Sequence, residues 1–405
     1  MKKNSIYKRS VIDEIIKYLK TEDIIVLHGA RQVGKTSILL WLKEYLEKTN
    51  KLTHFIDLED SRMKKMLDLG VDEFIVHLKE EGYWRDKVKT YVFIDEIQYL
   101  DNPSEFLKLV ADHHKNVKLI ISGSSSFEIK SKFKDSLVGR TVNFEIFTLS
   151  FEELLLFKNY YFDKSKKNTT KKINELKSLF EHYILYGGYP KIVLTEEVDL
   201  KEKYLQQIID TYVRKDIRDL AEIKEIDKFN KLIEALAAQS GQLLNITELS
   251  NTCNLSKETV EKYLFILENT YILKLVRPFH KNIRSELFKT PKIFFYDSGL
   301  MQMLWLKNLQ KEIIGSVFET GIYGELVKKY GRENILFWRT KDKKEIDFIV
   351  KDRNEITPIE VKLNFRSFRF GHMKYFIEQY LSKEYLVIGL RGDKNQKQFY
   401  YPWEI

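Results

Sequence analysis

Apolar and polar positions alternate along this chain in two distinct rhythms. Short apolar runs at Ile24-Ile25-Val26-Leu27, Thr53-His54-Phe55-Ile56-Asp57, Tyr91-Val92-Phe93-Ile94, Val117-Lys118-Leu119-Ile120-Ile121 and Val142 to Thr148 read as five strands. Helical spacing fills the intervals. Val11, Ile15, Ile16 and Leu19 share one face of a helix within Ser10 to Lys20, and Ile38, Leu39, Leu42 and Leu46 recur at the same period. Strands alternating with helices predict an α/β core built on a parallel sheet with helices on both faces.

The rhythm changes from Leu149 onward. Phe151 to Phe157 is helical and apolar, Lys158 to Lys172 reads as an exposed lysine- and asparagine-rich loop or helix end, and Tyr186-Gly187-Gly188-Tyr189-Pro190 is a turn cluster. Ile208 to Leu220 reads as a helix bearing Arg214, Lys215, Asp216 and Arg218. Phe229 to Phe279 has the order of a winged helix-turn-helix. Leu232, Ile233, Leu236 and Ala237 mark a first helix, Asn245 and Glu248 a cap before Leu249, Ser256 the cap of a helix with Val260, Leu264 and Leu267, and Ile272 to Val276 a wing strand. The exposed face of the second of these motif helices carries Lys257, Glu258, Glu261 and Lys262, so a role in reading DNA competes with a purely architectural one. Further on, Glu345 to Val350 and Thr357 to Lys362 read as a hairpin around Lys351 to Glu355.

Chemistry concentrates first at the junction of the first strand and the helix after it. Gly29-Ala30-Arg31-Gln32-Val33-Gly34-Lys35-Thr36-Ser37 contains the pattern G-x-x-x-x-G-K-[ST] at a strand-to-helix turn, where backbone N–H groups can wrap phosphate oxygens. Lys35 is expected on the β- and γ-phosphates of ATP and Thr36 on its Mg²⁺. The strand ending in Asp95-Glu96 supplies the partner pair. Asp95 is expected in the Mg²⁺ shell, and Glu96 is expected to orient and deprotonate the attacking water. In Ser122-Gly123-Ser124-Ser125-Ser126 a hydroxyl, Ser124 by choice, could touch the γ-phosphate, with a plain helix cap as the alternative.

The pieces GARQVGKTS, FIDEIQYL, IISGSSSFEI and LVGR, in that order, resemble the AAA+-type ATPases (AAA_14-like) of archaea and bacteria that carry a C-terminal DUF4143, nuclease-like domain. The resemblance extends over essentially the whole chain. It implies an extra strand between the loop strand and the Asp95 strand, a helical lid, and a role for Arg140 in stabilising transition-state charge, in its own subunit or across to a neighbour; a surface ion pair is the alternative. It also implies the divisions 1–150 ATPase core, 151–222 helical lid, 223–284 winged helix and 285–405 nuclease-like domain.

A second candidate site lies in the C-terminal third. Asp347 on one hairpin strand, Glu360 and Lys362 on the other, and Glu319 on a preceding helix form a set of acids and a lysine that can hold a divalent ion and activate water at a phosphodiester. This is similar to the PD-(D/E)xK nuclease fold. Asp347 and Glu360 are the expected metal ligands, for Mg²⁺ or Mn²⁺, and Glu325 competes with Glu319 for the helix position. An acid two residues before a lysine recurs at Glu128, Glu175 and Glu222, so the hairpin context carries this reading.

Composition narrows the remaining options. The chain has 405 residues, 43% hydrophobic and 31% charged, which fits several folded domains. A single cysteine, Cys253, excludes a disulfide framework within the chain and fits a reducing compartment. No histidine pair has zinc-site spacing. With no spanning run and no secretory signal, the expected location is cytoplasmic, without a membrane partner. The net charge of +9 tilts toward a polyanion without carrying nucleic-acid binding by itself; with the nuclease-like resemblance DNA is the expected target, and Arg140 adds the expectation of a homo-oligomer. The alternative function is a nucleotide-dependent switch or scaffold that binds DNA or protein and cuts nothing. A transcriptional regulator is a third reading.

Overall fold

The computed structural model describes residues 6–85, 87–123, 137, 139–163, 168–220, 223–280, 290–353 and 355–405. The chain divides into two compact units, Met1–Phe147 and Thr148–Ile405.

The first unit is a five-stranded parallel sheet. Its strands are β1 (Ile24–His28), β2 (Leu52–Asp57), β3 (Thr90–Asp95), β4 (Val117–Gly123) and β5 (Thr141–Glu145), in the order β2-β3-β4-β1-β5. β4 is therefore the extra strand between the loop strand β1 and the Asp95 strand β3. β1, β3 and β4 are buried along their whole lengths, which explains why they read as mostly apolar runs. Helices α1 (Val11–Lys17), α2 (Lys35–Lys48), α3 (Ser61–Asp68), α4 (Val71–Glu80) and α5 (Pro103–His113) complete the unit. One core layer joins Val26, Ile56, Val92, Ile94, Leu119 and Ile121 to Phe74, Leu78 and Leu107 on the helices. In a parallel sheet all strands point the same way, so the carboxyl ends of β1 and β3 lie on one edge, where a crevice forms.

The second unit opens with helices α6 (Phe151–Phe157), α7 (Thr170–Tyr186), α8 (Pro190–Leu194) and α9 (Val198–Ile208). The helix expected over Ile208 to Leu220 differs in winding. It runs as a π-helix over Ile209–Asp216 before α10 (Ile217–Leu220), with Ile209, Tyr212 and Val213 buried. Next come α11 (Ile226–Ala238), α12 (Ile246–Cys253), capped by Asn245, and α13 (Lys257–Asn269), capped by Ser256. β6 (Leu273–Val276) pairs antiparallel with β7 (Lys292–Phe295), and Leu243 forms an isolated bridge to Lys292 on the other side of β7.

After α14 (Ser298–Leu306) and α15 (Gly315–Tyr330) the chain builds a second sheet from β8 (Ile335–Arg339), β9 (Glu345–Asp352), β10 (Glu355–Asn364), β11 (Leu386–Arg391) and β12 (Phe399–Tyr400). β8, β9 and β10 run antiparallel in sequence, while α16 (Phe370–Tyr380) connects β10 to its parallel neighbour β11. The hairpin is longer than the apolar pattern predicts, since pairing continues to Asp352 and Glu355. Phe294, Tyr323 and Phe348 stack together, bringing β7, α15 and β9 to a common core.

Candidate functional site

The phosphate-binding motif fills the turn between β1 and α2. Its glycines are demanded by geometry: a Cβ on Gly29 would lie 2.1 Å from the Ile146 carbonyl oxygen, and Gly34 takes φ 98° just before the helix. Arg9, buried, donates to the carbonyls of Val33 at 2.8 Å and Phe147 at 3.0 Å, fixing the loop from behind. Lys35 folds its ammonium onto the Gly29 and Ala30 carbonyls, at 3.0 and 2.8 Å. Those two acceptors hold the lysine over the loop at the amino end of α2, where helix N–H groups favour an anion.

β3 delivers Asp95 to the same edge. Asp95 Oδ2 accepts from the Thr36 hydroxyl at 2.6 Å, while Oδ1 accepts from Ser122 at the end of β4. Ser122 in turn accepts from the Glu96 backbone N–H at 3.1 Å, and the Glu96 carboxylate accepts from the Gln98 side-chain amide. Burial pushes the Asp95 carboxyl above its ordinary range, and the Ser122 and Thr36 hydroxyls oppose that shift. A carboxylate and a threonine hydroxyl placed side by side next to a phosphate loop suit the Mg²⁺ of a nucleotide, because both are hard oxygen donors.

Ser122, Gln98 and Arg9 are not evident from the motif patterns. Ser122 had a signal: it is the polar residue that interrupts β4's apolar run one position after Ile121, which aligns with Ile94 beside Asp95. Ser124 lies outside the described residues.

Arg140 sits elsewhere. Its carbonyl accepts from Ile24 N–H at the start of β1, and its guanidinium grips Asp112 on α5 through two hydrogen bonds of 2.8 and 3.2 Å. The phosphate loop follows the other end of β1, five residues away, or about 15 Å. The arginine is thus not brought to the phosphate loop of its own chain, and the surface ion pair is what the structure places there.

In the second unit, β9, β10, α15 and β7 converge on four carboxylates. Lys362 lies 3.2 Å from Asp347 and 2.7 Å from Glu360, and Asp347 also accepts from the Val361 backbone at 2.7 Å. Lys292, a residue the motif patterns pass over, lies 2.6 Å from Glu345 and 3.6 Å from Glu319. Arg339 pairs with Glu345 at 2.8 Å. α15 brings Glu319 rather than Glu325 into this cluster. Glu325 instead accepts from Phe151 N–H, Tyr183 and Lys328, a set that ties α15 to the start of α6.

Burial, joined by the charge of Asp347, raises both Glu319 and Glu360, and Lys292 and Lys362 pull against it. The Glu319 Oε1 atom is buried without a hydrogen-bond partner, and the Lys292 ammonium faces it at 3.6 Å, too long for a hydrogen bond. Among the described residues no three His, Cys, Asp or Glu side chains stand close enough to hold a metal ion.

Comparison with known proteins matches three stretches of the chain. Residues 21–155 match an AAA domain model, residues 177–312 a domain of unknown function (DUF8612), and residues 314–403 a second such domain (DUF4143). An uncharacterized protein of Haemophilus influenzae is 27% identical over 369 residues, covering 89% of this chain and 88% of its own length. One from Methanocaldococcus jannaschii is 28% identical over 366 residues, covering 88% and 79%. Among solved structures, the replication initiator DnaA bound to AMPPCP and single-stranded DNA aligns at 15% identity and TM-score 0.32, covering 65% of this chain and 90% of that one. Domain III of DnaA from Thermotoga maritima aligns at 16% identity and TM-score 0.29, covering 51% and 95%. Among the described residues no helix is long and apolar enough to cross a membrane. Residues 21–155 are thus similar to an AAA domain, and residues 314–403 to the DUF4143 domain.

Proposed function

We propose that this chain binds and hydrolyses ATP at the β1–α2 loop and that its nucleotide state governs a C-terminal nuclease-like domain acting on DNA. One observation carries the ATPase reading: the continuous chain of bonds from Thr36 through Asp95 and Ser122 to Glu96, beside a lysine held over a phosphate loop. Bound nucleotide brings Mg²⁺, which neutralises phosphate charge. Lys35 would leave its two carbonyl acceptors for the phosphate oxygens, and Thr36 and Asp95 would turn their oxygens to the ion. Glu96, released from Gln98, would take the proton of the attacking water.

The helices of 151–222 serve as the lid in this reading, and 223–284 as a winged helix, supported by three helices followed by the antiparallel pair β6–β7, with Leu243 as a second pairing partner of β7. In 285–405, the PD-(D/E)xK reading is supported by Lys362 lying within ion-pair distance of both Asp347 and Glu360. An Arg140 so far from its own loop would serve a neighbouring copy, which requires an oligomer.

A second reading, a nucleotide-dependent switch that binds DNA or protein and cleaves nothing, is favoured by the two lysines that already neutralise the C-terminal carboxylates. Cleavage of labelled single-stranded, duplex and branched DNA with Mg²⁺ or Mn²⁺, with and without ATP, separates the two. Loss of cleavage in Asp347→Ala supports the nuclease, and the Lys35→Ala protein shows whether ATP licenses it. Wild type that cuts none of these substrates leaves the switch.

A further inference from the structure

We infer that the four helices opening the second unit hold a binding site for an amphipathic monocarboxylate, with Lys201 taking the carboxylate and an apolar wall taking the chain. The site stands apart from both the nucleotide and the DNA readings.

A cavity of about 360 Å³ is lined by residues of α6, α7, α8 and α9, a volume within the range of small-molecule sites. Helical spacing builds it: Leu179, His182 and Tyr186 share one face of α7, and Val198 and Lys201 share one face of α9. Leu154 of α6 and Ile192 and Val193 of α8 complete a mostly apolar wall. At the ~30 Å³ that each water takes in the liquid, the cavity has room for about twelve non-hydrogen atoms, which suits a carboxylate on a chain of about ten carbons.

Lys201 is the odd member of this wall. It is only 7% exposed. Its ammonium donates to the carbonyls of Ile192 at 2.9 Å and Thr195 at 2.6 Å, and lies 5.1 Å from the centre of the Tyr186 ring. All three partners also line the cavity, so the ammonium stands at its wall. The two carbonyls engage two of its three N–H groups, and among the described residues no carboxylate pairs with it. Buried charges ordinarily have an opposite charge for a partner. Burial, with Lys158 adding to it, pushes the ammonium down to about 8 against the pull of Glu196. Glu196, the one acid lining the cavity among the described residues, is itself exposed. The cavity is thus apolar in its body and positive at a buried point. A ligand with one negative group on an apolar chain satisfies both, whereas a neutral head leaves the charge unpaired.

The test measures decanoate and decanol binding to the nucleotide-free full chain by titration calorimetry. Wild type should prefer decanoate by about tenfold or more, the discrimination that a charged hydrogen bond supplies. Lys201→Met should abolish that preference. Val198→Trp, which fills the cavity from its exposed side, should weaken both ligands. Equal binding of the two ligands by wild type, or none, overturns the inference. So does a preference that survives Lys201→Met, or decanoate binding untouched by Val198→Trp. Should Lys201→Met fail to fold, wild type answers through pH. Decanoate affinity should fall about tenfold between pH 7 and roughly pH 9.5, as the Lys201 amine loses its proton, while decanol affinity stays level. Decanoate affinity indifferent to pH over that range overturns the site.

Discussion

Both candidate sites gather acids at the end or edge of a sheet, yet they satisfy those acids in opposite ways. In the first unit Asp95 is held by neutral hydroxyls, those of Thr36 and Ser122, and Lys35 is parked on backbone carbonyls. Each of those bonds is replaceable: a hydroxyl can rotate to an incoming ion, and a carbonyl loses little when the lysine leaves. In the second unit the acids are met by ammonium and guanidinium groups, so a newcomer must displace a charge. The first arrangement offers contacts that an incoming ligand could replace, and the second already matches most of its acids with fixed charge.

The largest effect expected from this contrast is at Lys35. Lys35→Ala should reduce steady-state phosphate release by about 10²–10³-fold, the loss typical of a removed electrostatic stabiliser. Its melting temperature should change little, because the hydrogen bonds lost are those to the Gly29 and Ala30 carbonyls. Turnover at the wild-type rate in this variant breaks the contrast outright. Next is Glu96→Gln, expected to slow hydrolysis by about 10²-fold or more through loss of the base. Filter-retained ATP should persist on this variant, and a protein that fails to hold nucleotide removes Glu96 from that role.

The mirror experiment in the second unit is Lys362→Met. Removing a partly buried cation strands Asp347 and Glu360 together, which should cost about 2–3 kcal/mol in denaturant unfolding, below the range for a fully buried pair because Lys362 retains some exposure. A smaller sharpening comes from pH in metal-free protein. Burial and Asp347 raise Glu319 to about 8 and Glu360 to about 7, against the pull of Lys292 and Lys362 and with Glu345 adding to the rise. Carboxyls whose folded pKa exceeds the unfolded value stabilise fully at low pH and lose that contribution as pH climbs through the folded value. The melting temperature of the second unit should therefore decline between pH 5 and roughly pH 8, and Glu319→Gln should flatten that decline. The smallest effect belongs to Asp112→Ala, which removes one partner of Arg140 in a solvent-screened pair and should leave the denaturant midpoint nearly unchanged. Hydrolysis by isolated chains should not respond.

The sequence made the first sheet readable because β1, β3 and β4 are buried on both faces and so contain little but aliphatic residues, ending in the loop and in Asp95. The caps Asn245 and Ser256 were readable for a local reason, since each acts within three residues of itself. Arg140 shows the limit: its motif gives no hint that it lies at the amino end of the strands, because strand order and direction are properties of the folded sheet. Lys292 was invisible for the same kind of reason. Its partners Glu319 and Glu345 are 27 and 53 residues downstream, and nothing in a local pattern distinguishes a buried lysine from the many exposed ones. The winding of Ile209–Asp216 likewise leaves no mark in the helical period.

Gln98 holds Glu96 by its side-chain amide, with Glu96 itself in a left-handed backbone conformation at φ 57°. If Glu96 is the base, the resting protein keeps that base engaged with its own chain, and idle consumption of ATP is restrained before any partner arrives. A single hydrogen bond of about 1 kcal/mol sets the depth of that latency at roughly fivefold. A catch so shallow holds back waste without needing a large force to release it, and a modest shift in the β3–α5 connection is enough to start the clock.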